Sequence, residues 1–258
     1  MSTMNSFQEK ISQGQACLGT AITLFDPTVT EALTNVLDFV WIDMEHAPMS
    51  LETVQSHVMA TRGTKTTPLV RVAWNDPVLM KPVLDLGAAG IIVPLVRTVA
   101  DVERAVSACR YPPEGIRGFG PRRASNYGQQ GGAEFCRQAN ESVMTIVQIE
   151  HVDALENLDK ILAVEGLTSV VVGPNDLAGS LGHMGDTGHP AVTEAIEAVI
   201  SKAQDRGVPM GLAIGGEVED LARWIDKGVR WLAISADFHF LLQSVTQLVE
   251  GVRGHRQS

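Results

Sequence analysis

Several features that mark large classes of protein are scarce or missing in this 258-residue chain. Cysteine occurs three times, at distant positions and without a Cys-x-x-Cys pair, which predicts free buried thiols in the reducing cytoplasm. No Cys/His cluster indicates structural zinc. No apolar run approaches the roughly 20 residues of a membrane span. The first residues also lack the pattern of a signal peptide, so we expect no membrane partner.

Positive charge is in short supply as well. The chain has 20 Lys and Arg against 30 Asp and Glu, a formal net charge of -10 and a pI of about 5.1. Nucleic acids and anionic membranes bind to basic faces, so this balance argues against both as partners. A small anionic substrate is not excluded, because one arginine or a bound metal ion can set the local charge.

Three common catalytic motifs are missing too. No lysine ends a predicted strand, which removes the nucleophile of a Schiff-base mechanism. There is no Gly-x-Ser-x-Gly elbow for a nucleophilic serine. No Gly-x-Gly-x-x-Gly follows the first predicted strand, which counts against a dinucleotide site.

Short apolar runs, typical of buried strands, alternate with amphipathic stretches, typical of helices, along the whole chain. The predicted strands are 18–24, 39–43, 69–73, 90–95, 144–149, 169–172, 210–214 and 231–235. The predicted helices are 28–37, 51–62, 77–86, 99–109, 152–163, 190–206, 217–227 and 238–252. Eight strand–helix units predict one α/β domain over residues 1–258, a TIM-type (β/α)8 barrel. A doubly wound open sheet is the alternative.

Two connections are unusual. Residues 110–141 are rich in Gly, Pro and Arg and too long for a simple turn, which predicts a functional loop and a short helix. Residues 177–190 contain four glycines and form either a lid or an ordinary surface loop.

Charged groups cluster at the carboxyl ends of four predicted strands, where barrels of this kind form their active sites. These groups are Asp43, Glu45 and His46 after the second strand, Arg71 in the third, Glu150 at the end of the fifth and Asp176 after the sixth. We therefore expect them to share one site.

Each of these groups has two interpretations. Glu150 and Asp176 either bind one hard divalent cation or cap the helices that follow them. His46 is either a general base oriented by Asp43 or a cap of the helix expected at Pro48.

Arg71 is the only charged residue of its strand. It either binds a substrate carboxylate or forms an internal ion pair. Glu45 is interpreted as facing the neighbouring strand and pairing with an arginine.

Five segments resemble the HpcH/HpaI aldolase family, in order and over most of the chain from Gly19 onward. They are Asp43-Met-Glu-His-Ala-Pro, Val70-Arg-Val-Ala-Trp-Asn-Asp-Pro, Arg110-Tyr-Pro-Pro-Glu-Gly-Ile-Arg-Gly, Val147-Gln-Ile-Glu and Val172-Gly-Pro-Asn-Asp-Leu. These are metal-dependent class II pyruvate aldolases of aromatic and sugar-acid catabolism. The resemblance implies a TIM-type barrel whose last helix is exchanged between subunits, in a homo-oligomer that is a trimer or hexamer.

The resemblance also implies roles for individual residues. Glu150 and Asp176 become ligands of Mg2+, Mn2+ or Co2+, and His46 becomes the acid/base group. Asp43 and Asp85 become its acidic neighbours. The implied substrate-binding residues are Arg71, Gln148, Gly173, Pro174 and Asn175, joined by Arg122 and Arg123 of the long loop. Those two arginines bind either the acceptor part of the substrate or an acid of a neighbouring subunit.

The activity implied is reversible cleavage of a 4-hydroxy-2-oxo acid to pyruvate and an aldehyde through a pyruvate enolate. The segment Gly118-Phe-Gly-Pro-Arg-Arg-Ala-Ser is also similar to relatives that decarboxylate oxaloacetate. Oxaloacetate decarboxylation or C–C bond synthesis is therefore an alternative. A citrate-lyase-type acyl-CoA lyase and a keto-acid-binding protein without turnover are two more.

Overall fold

The computed structural model describes residues 6–255, and within them eight parallel strands close into a barrel in sequence order. The strands are β1 (Cys17–Ile22), β2 (Phe39–Asp43), β3 (Thr67–Arg71), β4 (Gly90–Val93), β5 (Met144–Ile149), β6 (Ser169–Val172), β7 (Met210–Ile214) and β8 (Trp231–Ala236). Hydrogen bonds between β8 and β1 complete the circle. The predicted (β/α)8 barrel is confirmed, and four strands have the predicted bounds.

The helices of the described residues surround this barrel. They are α1 (Ser6–Ser12), α2 (Pro27–Leu33), α3 (Leu51–Ala60), α4 (Pro77–Asp85), α5 (Val99–Cys109), α6 (Gly132–Ser142), α7 (Val152–Glu156), α8 (Leu158–Ile161), α9 (Pro174–Ser180), α10 (Pro190–Asp205), α11 (Val218–Lys227) and α12 (Asp237–His255). The apolar faces of α3, α4, α5 and α10 share one core with the outward-facing residues of the strands. This layer holds the strand ends at fixed positions.

Helix α1 closes the amino end of the barrel, and it was not predicted. Phe7 and Ile11, one helical turn apart, join the apolar cluster inside the barrel. The Phe7 ring lies edge-on to Phe39 at 5.1 Å and to Trp231 at 5.8 Å. Burying a phenylalanine contributes roughly 1.5–3 kcal/mol. Because this floor fills the amino end, a cavity in the barrel interior opens at the carboxyl end.

The predicted helix over 152–163 is wrong, since the segment forms α7 and α8 instead. Asn157 separates them with a non-helical backbone, and its side-chain amide donates to the carbonyls of Asp153 and Arg97. Asparagine competes with the helix in this way by offering the backbone other hydrogen bonds. Helix α9 likewise occupies the start of the segment predicted as a loop over 177–190.

Asp237 fastens the carboxyl end of the barrel where β8 meets β1. Its buried carboxylate accepts hydrogen bonds from the backbone N–H of Thr23 at 3.0 Å and of Leu24 at 2.9 Å. The Thr23 hydroxyl donates to it at 2.6 Å. The first residue of α12 is thereby fixed, although the rest of α12 extends into solvent.

The described residues include all three cysteines and every helix that could be compared with a membrane span. Cys17 and Cys109 are free and buried as expected, whereas Cys136 is free but half-buried. Within residues 6–255, no helix combines the length and the apolar character that crossing a membrane requires.

Candidate active site

A cavity of about 400 Å3 opens at the carboxyl end of the barrel. It is lined by predicted site residues from four strand–helix units: His46, Arg71, Gln148, Glu150, Gly173, Pro174, Asn175 and Asp176. His46, Arg71, Glu150 and Asp176, from four of the expected strand ends, therefore lie around one cavity.

Arg71 is held in a fork by two carboxylates. Asp43 and Arg71 are partners in the β2–β3 register. Arg71 Nε and Nη2 donate to the two carboxylate oxygens of Asp43 at 2.9 and 2.7 Å, and Nη1 lies 2.9 Å from Oε2 of Glu45. Arg71 thus forms the internal ion pair that was one of its two interpretations. The pairing of Glu45 with an arginine is confirmed. Such bidentate pairing fixes the plane of the guanidinium.

Gln148 extends this arrangement into one row of hydrogen bonds. Its carbonyl oxygen accepts from Arg71 Nη1 at 3.3 Å, and its amide Nε2 donates to Oε2 of Glu150 at 2.6 Å. The row from Asp43 through Arg71 and Gln148 to Glu150 spans β2, β3 and β5. A buried network with these bonds made orients all of its members.

Glu150 is the most deeply buried carboxylate that lines the cavity, with 2% of its surface exposed. Its other oxygen accepts from the backbone N–H of Leu95 at 2.6 Å, and Leu95 adopts a left-handed backbone with φ 53°. Burial raises the pKa of Glu150 to about 7, and the charges of Glu45 and Asp176 add to this effect. The site therefore concentrates negative charge that its own residues only partly compensate.

Gly173 provides the space that Glu150 occupies. A Cβ at position 173 would lie 2.6 Å from Oε2 of Glu150 and 3.0 Å from Nε2 of Gln148. Both distances are shorter than normal contacts. Gly173 was predicted to bind the substrate through its backbone, but its close approach to Glu150 is a separate reason for glycine here.

Three helix-cap interpretations are wrong. The cap of α3 is Ser50 rather than His46, and the cap of α7 is His151 rather than Glu150. Helix α9 is capped by Gly173, with Asp176 as its third residue. Glu150 and Asp176 therefore have no capping function that would explain them.

His46 lies at the mouth of the cavity with 66% of its side chain exposed, beside Glu45 rather than Asp43. Its Nε2 is 3.9 Å from Oε2 of Glu45. Asp43 instead accepts from the backbone N–H of His46 at 3.4 Å, and both of its oxygens also accept from Arg71. The expected Asp43–imidazole pair is corrected to a Glu45–imidazole pair.

Asp85, Arg122 and Arg123 do not reach the cavity within one chain. Asp85 ends α4 and accepts from Arg117 at 2.8 Å, close to where β4 begins at the amino end. Arg123 donates to the carbonyl of Leu86 in the same region, and Arg122 is exposed. Helices after the strands run back toward the amino end, so residues at their carboxyl ends lie away from the site.

Among the other residues that line the cavity, Trp41 and His239 carry ring N–H groups and were missed. Trp41 faces inward from β2 with a buried indole N–H that has no partner among the described residues, and the Arg71 guanidinium lies 5.1 Å from its ring. The period-2 alternation of β2, which also directs Asp43 inward, could have identified Trp41. The second is His239, whose Nδ1 is 3.2 Å from Ser235 Oγ. It belongs to none of the predicted motifs, so no sequence signal pointed to it.

The donor set of the cavity fits a hard divalent cation. Four carboxylates, from Asp43, Glu45, Glu150 and Asp176, lie near a single guanidinium, and only Asp43 and Glu45 pair with it. In residues 6–255, no three or more His, Cys, Asp or Glu side chains are grouped so that they could hold one metal ion. The protein would therefore contribute two carboxylates, those of Glu150 and Asp176. Two carboxylates with substrate and water oxygens are a typical set for Mg2+.

Known proteins resemble the chain over nearly its full length. The family model described as HpcH/HpaI aldolase/citrate lyase matches residues 23–244. The chain is 37% identical over 246 residues to 5-keto-4-deoxy-D-glucarate aldolase of Escherichia coli O6:H1, covering 94% of both chains.

Solved structures agree with these matches. An HpcH/HpaI aldolase/citrate lyase family protein from Burkholderia cenocepacia J2315 has a TM-score of 0.91 at 32% identity, covering 97% of this chain and 100% of that chain. Citrate synthase SbnG has a TM-score of 0.87 at 28% identity, covering 97% of this chain and 98% of that chain.

Proposed function

This chain belongs to the HpcH/HpaI aldolase/citrate lyase family and is a carbon–carbon lyase, and we propose that it cleaves a 4-hydroxy-2-oxo acid reversibly to pyruvate and an aldehyde. The observation that carries the proposal is the row Asp43–Arg71–Gln148–Glu150, whose last three members line one cavity together with Asp176. The similarity to 5-keto-4-deoxy-D-glucarate aldolase favours a sugar-derived acid as substrate.

Glu150 and Asp176 are the residues that would hold Mg2+, Mn2+ or Co2+. They follow neighbouring strands, line the same cavity and have no capping role. Their negative charges repel each other, and this repulsion adds to the burial that raises the pKa of Glu150. A bound divalent cation would supply Lewis-acid stabilisation of the negative charge that develops on the 2-oxo acid.

Arg71 positions the 2-oxo acid and stabilises developing enolate charge. It is the one permanently charged cation among the described residues that line the cavity. Asp43 holds its guanidinium in a fixed plane, so no reorganisation is required when charge appears on the substrate. The unpartnered indole N–H of Trp41 is a second donor on the same wall.

His46 takes the proton of the C4 hydroxyl during cleavage. The electrons of the C3–C4 bond then pass to C3 and the C2 oxygen, the aldehyde leaves, and a proton returned to C3 gives the methyl group of pyruvate. The exposed ring of His46 can exchange protons with solvent, and the Glu45 carboxylate lies 3.9 Å from its Nε2.

Exchange of the pyruvate methyl protons in D2O, followed by NMR, tests this proposal. Exchange should stop with a chelator, return with Mg2+ or Mn2+, and be abolished in Glu150→Gln and Asp176→Asn. Glu103→Gln, an exposed carboxylate of α5, is the matched control and should exchange normally. Exchange by the fully metal-free protein would refute the roles of Glu150 and Asp176.

A second candidate reaction uses the same enolate, namely decarboxylation of oxaloacetate or synthesis of a C–C bond. The similarity to citrate synthase SbnG favours it. Turnover of oxaloacetate and of a 4-hydroxy-2-oxo acid, compared at equal concentration, distinguishes the two. A larger kcat/KM for oxaloacetate would make decarboxylation or synthesis the main activity.

Helix α12 supports the proposal of a homo-oligomer with an exchanged terminal helix. Leu241, Val245, Leu248 and Val252 recur at helical spacing on it and are 50–70% exposed. Leu18 of β1 is also 38% exposed. Apolar stripes of this kind are normally buried against another element.

Leu248→Glu tests this assembly, since it places a charge in the centre of the stripe. The mass in solution, measured by light scattering, should fall toward that of one chain. Val36→Glu, at an exposed apolar residue after α2, should leave the mass unchanged. A wild-type protein that is already monomeric would exclude the exchanged helix. Asp85, Arg122 and Arg123 could then have no role in the site, because only another copy could bring them there.

A further inference from the structure

A second cavity, of about 520 Å3, opens at the opposite, amino end of the barrel. Arg62, Lys65 and Arg123 line it, together with several hydroxyl groups. No carboxylate is among the described residues of its wall. In a chain with a formal net charge of -10, a cavity whose charged residues are all cations is unexpected.

Arg123 is held in this wall by the fold. Its guanidinium donates to the carbonyls of Leu86 at 2.6 Å and Val58 at 3.4 Å, near the ends of α4 and α3. Gly87, with φ 92°, allows this approach, because a Cβ there would lie 2.8 Å from Arg123 Nη1. The position of Arg123 is therefore set by the backbone around it.

No carboxylate of the described wall compensates the positive charge of the cavity. Burial lowers the pKa of Arg123, the interaction with Tyr127 opposes this shift, and the neighbouring charge of Arg62 adds to it. Arg62 and Lys65 have no side-chain ion pair in the described structure. Because arginine remains charged at any ordinary pH, the repulsion between Arg62 and Arg123 does not vanish by loss of a proton, and a bound anion would relieve it.

The backbone beside these cations is strained. Asn126 and Tyr127 line the cavity with φ 50° and 56°, a left-handed conformation that is uncommon for residues other than glycine. The two residues continue the loop that carries Arg123. Strain of this kind concentrates at functional sites.

We propose that the amino-end cavity binds a small polyanion, either a phosphate group or a dicarboxylate, through Arg62, Lys65 and Arg123. Its volume lies in the range of small-molecule sites, roughly 300–1,000 Å3. None of the described residues that line it also lines the carboxyl-end cavity. The site is therefore distinct from the proposed metal and 2-oxo acid site.

Isothermal titration calorimetry with inorganic phosphate and with malonate, at constant ionic strength and with a chelator present, tests the proposal. We expect at least one of the two anions to bind. The double variant Arg62→Ala/Lys65→Ala should weaken this binding by about tenfold or more. Lys160→Ala, which removes an exposed cation of α8, should stay within about twofold. The anion that binds more tightly, phosphate or malonate, shows whether the site prefers a phosphate group or a dicarboxylate.

Equal affinity of wild type and double variant would overturn the proposal, as would no binding of either anion. Arg62 and Lys65 are exposed, so an unfolded variant is not expected, and circular dichroism checks this. If a second copy of the chain fills the cavity instead, neither anion will bind to the wild-type protein. The variant Arg62→Glu/Lys65→Glu will then have a lower mass in solution than the wild type. The chelator keeps the measurement independent of the metal-dependent reaction, so either proposal can fail alone.

Discussion

The two ends of the barrel each collect like charges in a cavity, but they hold them differently. At the carboxyl end four carboxylates lie around Arg71, and Gln148 links the arginine to the buried Glu150. At the amino end, Arg62 and Lys65 are exposed and only Arg123 is fixed by hydrogen bonds. Buried charges interact more strongly than exposed ones, so substitutions at the carboxyl end should have the larger effects.

The largest effect should come from Arg71→Ala at the carboxyl end. It removes the fixed guanidinium from the substrate and leaves Asp43 without its bidentate partner. Loss of one such preorganised donor lowers kcat by roughly 10²–10³-fold. Steady-state kinetics of aldol cleavage measure it, with Arg104→Ala on the exposed face of α5 as control. Near-normal kcat in Arg71→Ala would contradict the assigned role.

The next effect concerns pH and Glu150. Its folded pKa of about 7 lies above the ordinary value of 4.5, mainly because of burial. Between these values the folded protein holds the proton more firmly than the unfolded chain, so stability falls as pH rises. The full loss is about 3 kcal/mol for the metal-free protein.

Urea unfolding of the metal-free protein between pH 5 and 8 measures this slope. Glu150→Gln should flatten the curve, whereas the control Glu103→Gln should retain it. Added Mg2+ should reduce the slope in the wild type only. A slope that is equal in wild type and Glu150→Gln would assign it to another group.

A smaller effect at the same end is expected from Gly173→Ala. The new Cβ would meet Oε2 of Glu150 at 2.6 Å and displace it from Gln148. Metal affinity should fall by about tenfold, equivalent to about 1.4 kcal/mol. Calorimetric titration with Mn2+ measures it, with Gly120→Ala as control, since its Cβ meets no atom within 4 Å. Unchanged Mn2+ affinity would mean that Glu150 can move without loss.

The two ends also differ in how far the sequence could predict them. Alternating apolar runs predicted the barrel, and the period of 2 in β2 and β3 places Asp43 beside Arg71. The carboxyl-end residues were predictable because strand ends converge on one edge. The contact of the His46 imidazole with Glu45 rather than Asp43 was not predictable, since both acids pair with Arg71 and only the side-chain directions decide between them.

At the amino end the same reasoning reaches its limit. Asp85 and Arg123 were assigned to the active site by motif, but they lie where α4 ends and contact Arg117 and the Leu86 carbonyl. A motif carries no information about which end of a helix faces which cavity. Helix α1 was missed because Phe7 and Ile11 form only two apolar positions, too few for a periodic signal.

The smallest effect should appear at the amino end with Arg62→Ala. Removing Arg62 relieves repulsion on Arg123, whose pKa is lowered by burial and by this neighbour. We expect a slight rise in Tm at low ionic strength that disappears at high salt, because exposed charges are screened within about 10 Å at 0.1 M. Lys160→Ala should show no such rise. A lower Tm for Arg62→Ala at low salt would mean that Arg62 already has a compensating partner, and the amino end would no longer mirror the carboxyl end.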